Sequence, residues 1–325
     1  LEREISADDR ALLLASDTDP FNRWEAARDM ARDALLAMVL DGAAPDPAYL
    51  DGIAKLAVDA VLDPAFRALC LRLPDEDDLA QAVAERGSPP DPMAIYAARE
   101  AMAEALATCL GTAAATLYGE MDVPAPYSPD ADAAGKRALQ AVMLGLITRR
   151  DGGAMAESQF ELADNMTQSI VALSALVRHG LGEKPLADFE ARWRADRLVM
   201  DKWFGLQASL APPATAVASA TALAARPDFD WKNPNRFRAL IGGLAMNRAG
   251  FHDASGAGYD FVADWLIRLD PVNPQTTARM TTIFETWHRY DSDRQAKMRA
   301  ALQRVRDLPD LSRDSAEMVS RILGS

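Results

Sequence analysis

The sequence has few of the residues that disulfides, metal sites or nucleic-acid interfaces need. Its 325 residues include two cysteines, three histidines, and 35 lysines and arginines against 48 aspartates and glutamates. Cys70 and Cys109 are too few to staple a chain of this size, which is typical of a reducing compartment, and we expect a cytoplasmic location. The net charge of −13 argues against nucleic acid or an anionic membrane as a partner, because both require a clustered basic face.

Long apolar runs are also missing. The longest uncharged stretch, residues 203–225, is interrupted by Pro212 and Pro213 and is rich in alanine, so we expect no membrane span. The first residues are charged where a secretory signal would be apolar, and we expect no such signal. Because a natural chain normally begins with Met, the start at Leu1 predicts a piece of a longer protein or a processed one.

The distribution of proline is that of a helical protein. Proline is tolerated at the first position of a helix, just after a capping Asp or Asn. This arrangement occurs at Asp19-Pro20, Asp46-Pro47, Asp63-Pro64, Asp91-Pro92, Asn233-Pro234 and Asn273-Pro274. After Pro20 the apolar residues recur at intervals of three and four, the period of a helix with one buried stripe. We find no sustained alternation of apolar and polar residues, so the sequence predicts an all-α fold.

Two of these helix starts indicate a repeat. Asn233-Pro234 and Asn273-Pro274 lie 40 residues apart, near the roughly 40-residue period of HEAT and armadillo repeats. We therefore predict a superhelical stack of antiparallel helix pairs, armadillo/HEAT-like, that forms a single domain over residues 1–325. The stretch 118–132 contains three prolines, and we expect it to form a long loop or an internal joint between subdomains.

The sequence contains no motif for metal or nucleophilic catalysis. None of His179, His252 and His288 is followed by Glu, and no two are four residues apart, as zinc ligands on one helical face would be. We expect each histidine at the surface or at a helix end. No base and carboxylate accompany a Ser or Cys nucleophile, and Cys70 is predicted to lie in the core. We predict no catalytic, metal-binding or cofactor-binding residue in this chain.

A pair of glycines and a pair of arginines are candidate binding features. Gly256 and Gly258 lack the preceding strand of a phosphate-binding loop, which favours a turn of positive φ before a helix that Tyr259 opens. Arg238 and Arg279 follow the two Asn-Pro starts by five and six residues. Equivalent turns of stacked repeats share one surface, so the two guanidinium groups are placed to hold a carboxylate between them. Ordinary surface ion pairs are the alternative.

Several long segments resemble one known family and follow that family's order along the chain. They include Asp17-Thr18-Asp19-Pro20-Phe21-Asn22-Arg23-Trp24-Glu25-Ala26, Ala163-Asp164-Asn165-Met166-Thr167, Leu198-Val199-Met200-Asp201-Lys202-Trp203-Phe204-Gly205-Leu206-Gln207-Ala208 and Asn233-Pro234-Asn235-Arg236-Phe237-Arg238. These segments resemble the C-terminal helical domain of bacterial aminopeptidase N, the alanyl aminopeptidase of the gluzincin class of zinc metallopeptidases. The resemblance covers essentially the whole chain.

The resemblance implies that this chain is part of a peptidase but does not itself carry out the hydrolysis. In the family a separate catalytic domain carries a His-Glu-x-x-His zinc motif and a Gly-x-Met-Glu-Asn segment, and neither is present here. Zinc is therefore implied for the parent enzyme, which removes N-terminal amino acids from peptides. The helical domain would be a cap over the active site, with the catalytic domain of the same polypeptide and peptide substrates as partners. Arg238 and Arg279 match family arginines that face the enclosed cavity, near the C-terminal side of a bound peptide.

A rival interpretation comes from another functional class. A free-standing helical-repeat scaffold would bind a protein or peptide along its concave face, as solenoids commonly do. The two interpretations are distinguished by the gene. A reading frame that begins with its own Met just before this segment would favour the scaffold, and an upstream peptidase region would favour the cap.

Overall fold

The computed structural model describes residues 5–124 and 126–324, and it contains no strand in these ranges. The predicted all-α fold is confirmed. The helices are α1 (Ala7–Ser16), α2 (Pro20–Asp41), α3 (Pro47–Val58), α4 (Pro64–Cys70), α5 (Glu76–Glu85), α6 (Pro92–Leu110), α7 (Thr112–Glu120), α8 (Ala131–Asp151), α9 (Ala154–Leu162), α10 (Met166–Arg178), α11 (Glu183–Trp193), α12 (Arg197–Leu210), α13 (Ala216–Ala224), α14 (Pro234–Phe237), α15 (Gly243–Met246), α16 (Arg248–Phe251), α17 (Ala257–Leu269), α18 (Pro274–Thr281), α19 (Ser292–Arg306) and α20 (Arg313–Leu323).

Tighter and wider turns complete the helical structure. Three 3₁₀ turns lie at Pro213–Thr215, Thr282–Phe284 and Trp287–Arg289, and a π-helical turn occupies Arg238–Gly242 between α14 and α15. Within the described residues, no helix has the length and apolar composition that crossing a membrane requires.

Each predicted Asx-Pro pair begins a helix. Proline is the first residue of α2, α3, α4, α6, α14 and α18. The preceding side chain supplies an acceptor for backbone N–H groups that the helix itself leaves unpaired. Asp19 Oδ1, for example, accepts from Phe21 N at 2.9 Å, and Asn273 Oδ1 accepts from Thr276 N at 3.0 Å. Local capping chemistry therefore fixes these six starts.

The chain divides into two compact units, of which the first comprises Leu1–Val83 and Ala94–Leu176. Here α1 packs against α2, and α8 packs against both α4 and α7. Their apolar faces form one core that includes Leu14, Leu35, Tyr49, Ile53, Cys70, Leu139 and Met143. The predicted burial of Cys70 is confirmed. Burial raises the pKa of its thiol to about 11, so the thiol stays protonated and unreactive at neutral pH.

The proline-rich stretch 118–132 lies within this first unit. The end of α7 and the start of α8 enclose a loop of residues 121–130, of which Ala125 is outside the described residues. Arg137 of α8 donates to Ser128 O at 2.6 Å and stacks over the Tyr127 ring, its guanidinium carbon 4.6 Å from the ring centre. The loop is thus tied to α8. That it acts as a joint, and that residues 1–325 form a single domain, stay predictions.

The second unit comprises Ala84–Met93 and Val177–Ser325 and has an aromatic core. In this unit α12 packs against α13 and α15, α17 against α19, and α18 against α20. Fully or almost fully buried rings fill the interior, namely Phe189, Phe204, Phe237, Phe251, Tyr259, Phe284 and Trp287. Rings of this size remove much apolar surface from water, which stabilises a unit built from short helices.

A buried carboxylate connects two helices of the second unit. Asp270, at the C-terminal end of α17, is 2% exposed. It accepts hydrogen bonds from Ser312 N at 2.8 Å, from Ser312 Oγ at 2.7 Å and from Ser315 Oγ at 2.6 Å. Ser312 is the N-cap of α20, so the carboxylate also stands near the positive end of that helix. Burial of this side chain is tolerated because these hydrogen bonds compensate for the water that it loses.

The start of α17 shows why two glycines stand two residues apart. Gly256 adopts φ +79°, a left-handed conformation that side chains disfavour, and it caps the helix. Gly258 has an ordinary φ but lies directly against the backbone of Phe251, with an added Cβ only 3.0 Å from Phe251 Cα and closer still to its carbonyl oxygen. The predicted glycine turn is confirmed. Glycine is needed at position 258 for a different reason, because the backbone of Phe251 leaves no room for a Cβ.

We predict opposite effects for two Gly→Ala substitutions in helices. Gly258→Ala should lower the free energy of unfolding by about 1–3 kcal/mol or more, because the atoms it meets are backbone and cannot move aside. Gly145→Ala in α8 meets nothing within 4 Å and should raise it by about 0.5–1 kcal/mol through helix propensity. Urea denaturation of both variants measures the difference. Equal effects of the two would contradict the packing described for α17.

Candidate functional site

The two candidate arginines follow capped helix starts in the second unit. Asn233 Oδ1 accepts from Asn235 N at 3.0 Å and begins α14, which leads directly to Arg238. Asn273 caps α18 in the same manner, and Arg279 lies in its last turn. The Asn caps that drew attention to these positions in the sequence therefore also determine where the helical turns that carry both arginines begin.

A side chain next to Arg279 reaches the segment that carries Arg238. A Cβ on Gly242 would lie 3.5 Å from Met280 Cε, which is ordinary van der Waals contact. Gly242 is four residues after Arg238, about one turn along the same segment, and Met280 directly follows Arg279. The predicted proximity of the two arginine-bearing segments thus has a contact behind it. Their role in binding is not tested by this geometry and stays a prediction.

Arg238 is the first residue of the π-helical turn Arg238–Gly242. The turn lies where the backbones of α12 and α15 touch. A Cβ on Gly243 would stand 3.0 Å from Ala208 Cβ and 3.3 Å from Gly205 O. π turns are uncommon and occur often at functional sites, where the extra residue changes the direction of nearby side chains. The sequence showed the glycines but not the π turn.

Neither arginine forms an ion pair with an acidic side chain in the part of the chain that the structure describes. Arg238 is exposed, and its Nη2 donates to the neutral side-chain oxygen of Asn235 at 2.6 Å. Arg279 is exposed and forms no side-chain hydrogen bond or ion pair with any residue in the ranges 5–124 and 126–324. The alternative of ordinary surface ion pairs is therefore absent among the described residues. Both guanidinium groups keep most of their donors for another partner.

The third arginine of the first Asn-Pro segment has a structural position. Arg236 is 6% exposed and forms a close ion pair with Asp201 of α12. It also donates to Asp228 O at 2.9 Å and stacks over the Phe204 ring at 4.6 Å. A buried ion pair of this kind is strongly destabilising to break, since the partner charge would stay buried and unpaired. Arg236 thus anchors α14 to α12 rather than facing solvent.

The histidines are placed differently from one another. His288 is exposed in a 3₁₀ turn, and His179 lies half-buried just after α10, as the sequence predicted for surface or helix-end residues. His252 is indeed at a helix end, the C-cap of α16, but the expectation of a surface position does not describe it, because it is 1% exposed. Among the described residues, no three His, Cys, Asp or Glu side chains are grouped to hold a metal ion.

Two tyrosines hold the imidazole of His252 from both sides. His252 Nδ1 lies 2.9 Å from the Tyr259 hydroxyl, and Nε2 lies 3.0 Å from the Tyr290 hydroxyl. Arg289 Nη2 donates to the Tyr290 oxygen at 3.1 Å, so the proton of that hydroxyl is left for Nε2. The imidazole is then a neutral ring with its own proton on Nδ1, which donates to Tyr259. No spacing in the sequence indicated this cluster.

The surroundings of His252 oppose its protonation. Burial lowers the pKa of the imidazole well below its ordinary value, and the nearby positive charges of Arg248, Arg289 and Arg294 lower it further. Arg294 also donates from Nε to the carbonyl oxygen of His252 at 2.8 Å. The cluster therefore favours a neutral imidazole, which suits a structural role and not that of a cation.

Comparison with known proteins gives the family. A sequence model described as "Domain of unknown function (DUF3458_C) ARM repeats" matches residues 7–324. This chain belongs to that family. The description as ARM repeats agrees with the armadillo/HEAT-like class predicted from the 40-residue spacing of the Asn-Pro pairs.

Curated relatives of the DUF3458_C chain share one name. Proteins named aminopeptidase N from Caulobacter vibrioides, Escherichia coli and Haemophilus influenzae are 40%, 32% and 31% identical, over 100%, 99% and 96% of this chain. A crystal structure of Legionella pneumophila aminopeptidase A in complex with aspartic acid matches with a TM-score of 0.87 and 29% identity, over 99% of this chain and 39% of that one. These matches confirm the resemblance to the C-terminal helical domain of bacterial aminopeptidase N.

The DUF3458_C chain is a part of the length of those proteins. It spans 38%, 38% and 36% of the three curated relatives, in the order given above. Activity of the whole relatives therefore does not transfer to this chain by similarity alone, and it is taken up below as a proposal.

We predict that His252 makes the stability of this chain pH-dependent. An unfolded chain binds a proton on this histidine near pH 6.5, whereas the folded chain resists it, so the free energy of unfolding should fall as pH decreases below about 6.5. The slope is at most about 1.4 kcal/mol per pH unit for one proton. Urea denaturation between pH 5 and 8 measures it.

Matched variants assign that slope. His252→Gln should be less stable at pH 8 but should lose the additional fall below pH 6.5, while His288→Gln at an exposed position should keep it. A slope that survives in His252→Gln would show that another group is responsible.

Proposed function

We propose that this chain is the C-terminal cap of a zinc-dependent aminopeptidase that removes N-terminal amino acids from peptides. In this proposal the helical units enclose the active site of a catalytic domain in the same polypeptide, shape the access of peptide substrates, and work in the cytoplasm. The observation that carries the proposal is the end-to-end similarity to part of proteins named aminopeptidase N, with 40% identity over the whole chain in one of them.

The chemistry of hydrolysis is assigned outside this chain. The sequence has no His-Glu-x-x-His motif, and the described residues form no group of three potential metal ligands. The donor set therefore does not fit a zinc site, and no step of peptide hydrolysis is derived from these residues. What the chain contributes in the proposal is enclosure, which excludes water and folded proteins from the reaction space and strengthens electrostatic contacts there.

Arg238 and Arg279 are the residues we assign to substrate selection. Arg238 is oriented by the neutral oxygen of Asn235, so its charge is positioned without being neutralised. Arg279 has no charged partner among the described residues. Arginine holds a carboxylate through two parallel N–H···O bonds, and such charge-assisted contacts are about twice as strong as neutral ones. A peptide carboxylate several residues from the scissile bond is the ligand that this pair fits.

We predict that Arg238→Ala and Arg279→Ala, in the aminopeptidase that contains this chain, raise KM for a free-acid pentapeptide by about 10-fold, because each removes a charge-assisted contact. The same peptide with a C-terminal amide should show little change, since it lacks the carboxylate. Steady-state kinetics on both peptides checks this. The value of kcat should change by less than about twofold, because the proposal puts the arginines at a carboxylate several residues from the scissile bond.

A control and a second substrate keep the test specific. Arg194→Ala removes another exposed arginine, at the end of α11 and outside both Asn-Pro segments of the sequence, and should leave KM for both peptides unchanged. A large loss of kcat on a one-residue chromogenic substrate in the Arg238 or Arg279 variant would contradict the assignment, because that substrate has no distant carboxylate.

We also predict that the 325-residue chain by itself, with added zinc, does not hydrolyse aminoacyl chromogenic substrates. The physical reason is that residues 5–124 and 126–324 contain no group of side chains that could hold the metal. The assay compares it with the complete aminopeptidase at equal molar concentration. Zinc-dependent turnover by the 325-residue chain would show an independent enzyme and overturn the cap proposal.

A further inference from the structure

A polar cleft in the first unit is unrelated to the arginine pair. Its volume is about 520 Å³, within the range of about 300–1,000 Å³ that small-ligand sites occupy. It is bordered by α7, by the loop after α7, by α8, by α9 and by the segment that leads into α10. Side-chain amides make up its inner wall, whereas the clefts of most small-molecule sites are largely apolar.

A closed ring of hydrogen bonds joins Tyr118, Gln140, Gln159 and Gln168 in the lining of this cleft, which we call the amide cleft. The Tyr118 hydroxyl donates to Gln159 Oε1 at 2.8 Å, and Gln159 Nε2 donates to Gln168 O at 2.9 Å. Gln168 Nε2 lies 3.5 Å from Gln140 Oε1, and Gln140 Nε2 donates back to Tyr118 O at 3.3 Å. Gln140 and Gln159 are only 4% and 7% exposed. Burial, together with the charge of Asp122, raises the pKa of Tyr118, so its hydroxyl remains a donor.

The ring determines which way each amide faces. The backbone oxygens of Tyr118 and Gln168 only accept, so the Nε2 atoms of Gln140 and Gln159 must face them. Gln168 Oε1 accepts from Asn165 Nδ2 at 2.7 Å, which fixes the third amide. Each of the three Nε2 atoms has two hydrogens, and only one of them finds an acceptor among the described residues. The amide cleft therefore offers neutral donors to a ligand that accepts hydrogen bonds.

The rim of the amide cleft is acidic and partly apolar. Asp122 and Asp164 are exposed there, and Leu162 at the same rim is 81% exposed. Arg137, the one cation in the lining, is 8% exposed and is occupied by Ser128 O and the Tyr127 ring. A carboxylate ligand would meet two negative charges on entry. A cation carried by an otherwise neutral molecule would be attracted to them.

We propose that the amide cleft is a binding site for short basic peptides, held by their backbone. Carbonyl groups of the peptide accept from the spare N–H groups of Gln140, Gln159 and Gln168. A lysine or arginine side chain lies at the rim between Asp122 and Asp164. A volume of about 520 Å³ suits a short peptide segment. The lining of the amide cleft includes neither Arg238 nor Arg279. The inference does not depend on the aminopeptidase assignment.

Calorimetric titration of the 325-residue chain with blocked tripeptides tests the proposal. Ac-Ala-Lys-Ala-NH₂ has no free amine and no carboxylate, so no aminopeptidase can cleave it and the arginine pair has nothing to hold. We expect it to bind at least about 10-fold more tightly than Ac-Ala-Gln-Ala-NH₂, since the second peptide has no cation for the acidic rim and no carboxylate for the arginine pair. Asp122→Asn and Asp164→Asn should each reduce that preference about threefold, a typical value for a partly exposed charge.

A matched control and a local probe complete the design. Asp41→Asn removes an equally exposed carboxylate that does not line the amide cleft, and it should leave the preference unchanged. Met155 lines the cleft, so the NMR signal of its labelled methyl group, assigned with Met155→Leu, should shift on addition of the lysine peptide. No binding of the lysine peptide at millimolar concentration, equal or tighter binding of the glutamine peptide, or binding without a Met155 shift would each overturn the proposal.

Discussion

The helices of this chain must bury one stripe against neighbours because most are too short to be stable in isolation. They run from 4 residues in α14 to 22 in α2, and isolated helices shorter than about 12–15 residues are marginal in water. Close packing is therefore the requirement from which the other features follow. Gly243 against Gly205, and Gly258 against Phe251, show that it extends to backbones in contact. At the first of these contacts the helix widens into a π turn, and Arg238 stands at the start of that turn.

The same requirement explains how charged and polar groups are accommodated in the interior. Three buried groups show how several partners compensate for the loss of water. Asp270 accepts three hydrogen bonds, Arg236 combines an ion pair with an aromatic face, and His252 is held neutral between two tyrosines. Such groups join helices that are distant in sequence, α17 to α20 and α12 to α14. Because an unpaired polar group in the interior is costly, these clusters also restrict which helices can pair.

The polar groups that keep spare capacity are the ones with functional interest. Arg238 and Arg279 present cations that have no carboxylate partner among the described residues, which suits an anion such as a peptide terminus. The amide cleft presents spare N–H groups below an acidic rim, which suits a neutral backbone with a cationic side chain. The two proposed sites lie in different units, and the proposals give them opposite charge preferences. In these proposals one chain contacts a peptide carboxylate with its arginines and a peptide backbone with its amides.

The sequence by itself determined what depends on short-range chemistry. Capping by Asp19 or Asn273 and the fixed φ of the following proline act within a few residues, so helix starts and the all-α class were predictable, as was the turn at Gly256. The tertiary structure decided what depends on residues far apart in the chain. Tyr118, Gln140, Gln159 and Gln168 form one ring although up to 50 positions separate them, and His252 is buried by tyrosines at 259 and 290. Burial and pairing of this kind follow from packing, and no local pattern in the sequence encodes them.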